Sequence, residues 1–222
     1  MEYVRLGSTG LKVSRICLGT LTFGSPEWRP WMLDKAAARP LFRRAVEQGI
    51  NFFDTADTYS GGESEKITGQ CLAEMFSGAR REEIVIATKV FNPVDMAFEG
   101  LHSASFRRRP NLDGLSRKRI FHAVDASLSR LGTDYIDLYQ IHWPERHVPI
   151  FGAMYYDPSK EKSVTPIHEQ LEAMSQLVKA GKVRYIGLSN ETSYGVHEFV
   201  RLAEQHKLPR VASVQNVYCL IN

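Results

Sequence analysis

Apolar residues in this chain gather into short runs, separated by longer stretches where they recur at helical spacing. Met1 to Ser14 reads as a hairpin turning at Ser8-Thr9-Gly10, and Ile16 to Thr20 as a short apolar run ending in Gly-Thr. A helix is expected to begin near Pro40, because proline suits the first turn of a helix and little else in it. Leu41, Phe42, Ala45 and Val46 then follow at helical spacing, and Gly49 marks the stop. Further strands are expected over 51–56, 84–89, 135–142, 183–190 and 211–216. They alternate with helices over 64–76, 117–131, 166–180 and 194–206. The strand runs are rich in β-branched and aromatic residues and mostly lack strict alternation, as strands buried on both faces do.

Strand–helix–strand connections of this kind require parallel pairing with right-handed crossovers. The two main architectures are a doubly wound sheet and a (β/α)8 TIM barrel. A dinucleotide-binding doubly wound unit carries GxGxxG after its first strand. Here GTLTFGSPEW follows instead, which favours the barrel. The polar residues favour it too. Asp54, Lys89, His142, Ser189, Asn190 and Gln215 all lie at or near C-terminal strand ends, which in a barrel converge on one mouth. No linker rich in Gly, Pro or Ser divides the chain, so residues 1–222 read as one domain.

Composition narrows the classes. Hydrophobic residues at 43% and charged residues at 24% exclude a disordered chain. A net charge of +3 is too weak to imply a nucleic-acid or membrane partner. No apolar run approaches the ~18–20 residues of a membrane span, and MEYVRLGSTG lacks the apolar region of a secretory signal. Cys17, Cys71 and Cys219 are scattered, without CxxC spacing, and read as reduced core thiols of a cytoplasmic protein. Oligomeric state is left open.

Four of the strand-end residues have a coherent chemistry together. A buried Asp54–Lys89 pair keeps the lysine charged. The ammonium beside Tyr59 is expected to lower the phenol's pKa, so that it exchanges a proton with a carbonyl-derived oxygen near neutral pH. His142 orients that oxygen or shares the proton. Singly, each has a plain structural role: Asp54 a cap, Tyr59 a packing aromatic, Lys89 a solvated strand end, His142 a satisfied core histidine. His142 is a poor metal ligand, since His147 is the only histidine near it and no HExxH or Cys/His cluster exists.

LGTLTFG, GINFFDTADTY, IVIATKV, LGTDYIDLYQIHWP, GKVRYIGLSNE and VQNVY, in this order and covering nearly the whole chain, resemble the aldo-keto reductases. The similarity is closest to the family's bacterial-type branch with a long loop after IHWP. The resemblance implies NADPH-dependent reduction of an aldehyde or ketone on a (β/α)8 barrel. It implies Tyr59 as general acid, Lys89 and Asp54 as its electrostatic support, and His142 as the group orienting the substrate. Ser189, Asn190 and Gln215 would surround the nicotinamide carboxamide, with Gly19 and Thr20 near the cofactor. The family also includes nucleotide-binding channel β subunits, so a regulatory protein and an inactive truncated reductase stand as alternatives.

Strand ends recur about every 39 residues, so two further units would bring a closed barrel to roughly 300 residues. The family's last two strands, with the aromatic that stacks on the nicotinamide and the residues that clamp the adenosine phosphates, would lie past Asn222. The chain is therefore expected to be a fragment or a truncated product. The segments Val90 to Ser116 and Trp143 to Thr165 are long for βα loops and suited to shaping a substrate site. Trp143, Trp28 and Phe23 either line a substrate channel or simply pack the mouth. Arg107-Arg108-Arg109 and Arg117-Lys118-Arg119 concentrate positive charge. They read as a solvated loop leading into a helix more readily than as a phosphate site, although a helix N-terminus disfavours cations. Gly61-Gly62 reads as a tight turn opening the second helix.

Overall fold

The structure, a computed structural model, describes residues 1–76, 78–94, 111–149 and 155–220. Strands β1 (Tyr3–Arg5) and β2 (Lys12–Ser14) pair antiparallel as the expected hairpin. Six strands follow among the described residues: β3 (Leu18–Gly19), β4 (Phe52–Asp54), β5 (Val85–Val90), β6 (Ile136–Ile141), β7 (Val183–Ser189) and β8 (Val211–Gln215). They form one parallel sheet in chain order. Between them run helices α1 (Lys35–Glu47), α2 (Glu63–Met75), α3 (Arg117–Leu131), α4 (Ile167–Lys179) and α5 (Ser193–His206). The long runs lie within a residue or two of their expected bounds. The apolar run over 16–20 shrinks to the two residues of β3.

The sheet is rolled. Gln215 on β8 donates from Nε2 to Asp54 Oδ2 on β4 at 3.2 Å, although three strands lie between them. In a flat sheet four strand spacings would separate them by about 19 Å. Curvature of this kind is what a barrel wall needs.

The hairpin closes the opposite end. Asn51, just before β4, accepts from Ser14 N at 2.7 Å and donates to Lys12 O at 3.1 Å. Near the start of β8, a Cβ on Gly7 (φ +56) would sit 2.4 Å from Ala212 O. Only glycine tolerates both that φ and that approach.

Each strand serves two faces with a period of two. On β6, Leu138 and Gln140 face inward, where they meet Gly187 and Ser213. Tyr139 and Asp137 face the helices. The helix side holds the main core: Phe42 and Phe53 stack at 5.9 Å, and Ile120, Val124, Leu171, Leu177 and Phe199 are buried with them. Helices α2 and α3 touch at Gly69, where a Cβ would lie 2.1 Å from Leu131 O.

Helix α1 begins at Lys35, one and a half turns before the expected start. The Asp34 side chain accepts from Ala37 N at 2.9 Å and caps it, leaving Pro40 inside the helix. The missing N–H of Pro40 is tolerated because Ala38, Phe42 and Ala45 bury one face against the sheet, and packing outweighs local preference in a protein helix. The Gly61-Gly62 turn is as expected: Ser60, Gly61 and Gly62 take φ of 52°, 63° and 87° ahead of α2. Among the described residues no helix is long and apolar enough to cross a membrane.

Candidate active site

Four side chains from separate segments meet at the C-terminal mouth. Asp54 ends β4, Lys89 is the penultimate residue of β5, His142 follows β6, and the turn after β4 brings back Tyr59. Lys89 Nζ donates to Asp54 Oδ2 at 2.6 Å, to Thr55 O at 2.8 Å and to Tyr59 OH at 3.3 Å. The lysine is 1% exposed. Burial alone would discharge it, but the Asp54 carboxylate and the Tyr59 oxygen hold its pKa above the usual value. The plain reading of Lys89 as a solvated strand end is therefore wrong.

Tyr59 departs from expectation. Its phenol is raised above its ordinary pKa, because burial outweighs the pull of the Lys89 ammonium. The group stands as a protonated donor, with an ammonium already in place beside the oxygen.

His142 is buried at 7% exposure, and its pKa is lowered to about 3 by burial, with Lys89 adding to the effect. The ring is neutral at physiological pH. It stands edge-on to Tyr59 at 5.6 Å and stacks on Trp143 at 5.9 Å. Its Nδ1 finds no hydrogen-bond partner among the described residues.

A residue that sequence reasoning missed completes the carboxylate's surroundings. Gln140 Nε2 donates to Asp54 Oδ1 at 3.1 Å and to Gln215 Oε1 at 3.3 Å. The available signal was the period-two spacing of Gln140 and His142, which puts both on one face of the strand expected over 135–142.

The remaining strand-end residues divide. Asn190 (φ 55°) donates from Nδ2 to His142 O at 2.9 Å and to Ser189 Oγ at 3.1 Å. Its backbone N–H bonds Gln215 O at 3.0 Å, so Ser189, Asn190 and Gln215 form one rim beside His142. Gly19 pairs with Asp54 and is exposed, and a Cβ there would meet nothing within 4 Å. Thr20 is fully buried with its polar atoms engaged. Its hydroxyl donates to Asp54 O at 3.0 Å, and its carbonyl accepts from Ser64 Oγ at 2.8 Å. That hydroxyl braces the end of β4.

Other expectations change. Of its two readings Phe23 takes the packing one: it is a core residue, 2% exposed and packed on Phe42 at 5.2 Å. Arg119 is 3% exposed and donates to Asp57 Oδ2 at 2.9 Å, so the 117–119 charges are not all solvated. Local charge rules cannot see a partner 62 positions away in the chain. Arg107-Arg108-Arg109 lie outside the described residues, as do 95–110 of the first long segment as a whole and 150–154 of the second. Cys71 is buried as expected, Cys17 is half-buried and Cys219 is exposed.

Known proteins are similar to this chain over its whole length. The E. coli K12 protein named Protein tas is 38% identical over 229 residues, covering 100% of this chain and 61% of that protein. Versiconal hemiacetal acetate reductase of Aspergillus parasiticus is 38% identical, covering 100% and 60%. A putative aryl-alcohol dehydrogenase of Saccharomyces cerevisiae, AAD16, is 36% identical with the same coverage, 100% and 60%. The chain thus spans about three-fifths of these relatives' length. The family model described as "Aldo/keto reductase family" matches residues 15–222, taking in every residue of the Asp54–Tyr59–Lys89–His142 cluster, and with the rolled parallel sheet beneath that cluster this chain belongs to the aldo/keto reductase family.

Proposed function

We infer that the full-length protein reduces an aldehyde or ketone to an alcohol with a nicotinamide cofactor, NADPH, and that Tyr59 is the proton donor. One observation carries this reading. A single buried ammonium, Lys89, touches both a carboxylate at 2.6 Å and a phenol at 3.3 Å. When bound, the nicotinamide supplies the hydride to the carbonyl carbon. Tyr59 gives its proton to the carbonyl oxygen as negative charge grows there. The phenolate left behind is stabilised by the Lys89 ammonium, which needs no rearrangement to do so. Asp54 keeps that ammonium charged, and Gln140 and Gln215 hold Asp54 in place. His142, neutral, offers one ring N–H to the same oxygen and fixes its direction.

The rim fits a carboxamide. Ser189, Asn190 and Gln215 bring a hydroxyl and two amides to adjoining strand ends beside His142, matching a group that both donates and accepts. Gly19 leaves open space at the same mouth. The relatives named as a reductase and a dehydrogenase point to the same class of reaction. An eight-stranded closed barrel is the matching architecture for the whole protein.

The test is Tyr59→Phe in the full-length protein. Turnover with NADPH and a reactive aldehyde should fall about 10²- to 10⁴-fold, while quenching of tryptophan fluorescence by NADPH stays as in the wild type. Wild-type turnover in this variant would overturn the assignment. NADPH binding without turnover in the wild type would make the protein a nucleotide-binding regulator instead.

A further inference from the structure

Behind the mouth, on the helix side of the sheet, lies a second group of buried charges. Asp57 is fully buried two residues before Tyr59. Its backbone N–H donates to Lys89 O at 3.2 Å. Its Oδ2 accepts from Arg119 Nη2 at 2.9 Å, and the same nitrogen donates to Asn92 O at 2.8 Å. One guanidinium, rooted in the first turn of α3, thus holds the turn that carries Tyr59 to the segment just past Lys89.

Stability explains this arrangement poorly. A cation in a helix's first turn is mildly unfavourable, and a fully buried pair need not repay its desolvation. Burial pushes the Asp57 carboxyl up to about 7 against the pull of Arg119, with Glu65 adding to the rise and Arg130 opposing it. Asp57 Oδ1 and Arg119 Nε, both buried, find no partner among the described residues. What the pair does provide is geometry. It joins the segments that carry the proton donor and its ammonium, whose 3.3 Å contact is the loosest of the three that Lys89 makes.

We propose that Asp57 and Arg119 are positioning residues, holding the turn that presents the Tyr59 hydroxyl against the segment that presents the Lys89 ammonium. The proposal rests on Tyr59 being the proton donor. Loss of the tie displaces the phenol from the ammonium without touching the rim residues of β7 and β8.

A double-mutant cycle in the full-length protein tests it. Asp57→Asn should lower kcat by about 10- to 100-fold, the scale of a misplacement near 1 Å, with KM for NADPH within about twofold of wild type. Combined with Tyr59→Phe, it should add less than about twofold, since both changes act through one hydroxyl. Arg119→Met should lower kcat on the same scale, and Arg119→Lys, which keeps a charge in reach of both acceptors, should lose less. Equal losses in the two backgrounds would mean a general structural role and would overturn the proposal. So would full turnover in Asp57→Asn alongside a slow Tyr59→Phe, which leaves the tyrosine assignment standing. A fast Tyr59→Phe would sink both. If Asp57→Asn fails to fold, Asp57→Asn/Arg119→Met removes both charges together, and the same cycle decides.

Discussion

The mouth and the seam between sheet and helices both bury charge, but they do so differently. At the mouth a lysine, a compact ammonium, touches a carboxylate, a carbonyl and a phenol. In the seam the cations are arginines. Arg130 pairs with Glu65 at 2.6 Å, Arg81 with Asp137 at 2.8 Å, and Arg119 with Asp57. Glu65, itself fully buried, also accepts from Thr88 Oγ1 at 2.6 Å. A guanidinium fork suits bonding that joins elements, whereas a lysine is a point charge that can follow a changing partner. The seam thus secures helices to the sheet, and the mouth holds an ammonium between a carboxylate and a phenol, which the proposed function puts to use. Asp57 and Arg119 are where the first kind of bonding serves the second.

Breaking each region in turn should separate turnover from stability. Lys89→Met removes the ammonium and leaves Asp54 buried with only amide donors. Turnover should drop by about 10³-fold or more, and urea unfolding should show a loss of about 3 kcal/mol. Glu65→Ala strands Arg130 and the Thr88 hydroxyl. It should cost about 3 kcal/mol in the same measurement, with kcat within a few-fold of wild type. A seam variant that lost turnover as steeply as Lys89→Met would erase the distinction.

The pH dependence of the mouth is a finer probe. The folded state lowers the His142 pKa to about 3 from an ordinary 6.5. A base depressed in the folded state contributes stability that is whole above the unfolded value. That stability is lost as pH falls from about 6.5 towards 3. His142→Gln should therefore flatten the acid limb of the stability curve followed by urea midpoints. His142→Gln should leave the shape of the pH–rate profile between about pH 6 and 7 unchanged, since that ring does not titrate there. The smallest effect belongs to neither region. The Lys182–Asp125 pair is exposed on both sides, so Lys182→Ala should change stability by less than about 1 kcal/mol.

Much of this molecule could be read from periodicity. The runs NFFDTA, IVIATK, YIDLYQIH, VRYIGLSN and VASVQN became strands because short apolar stretches between amphipathic ones have no other place to be buried. The polar residues at or near their ends arrived at one mouth because parallel strands share a direction. Pro40 misled because its neighbours' burial outweighs one missing hydrogen bond. Arg119 misled because its partner is remote in the chain, and Gln140 was missed because it faces a residue on β4 rather than its own neighbours.

The order of strands and helices, their parallel pairing and the set of polar residues at the strand ends were all written in the linear pattern, since each depends on local spacing and chain direction. The meeting of β4 with β8 across three strands, the inward turn of Arg119 and the direction of the Tyr59 shift were settled only by the tertiary structure. The first follows from curvature, a property of the sheet as a whole. The other two follow from burial, which sets whether a charge must find a partner and whether an ammonium outweighs lost solvent.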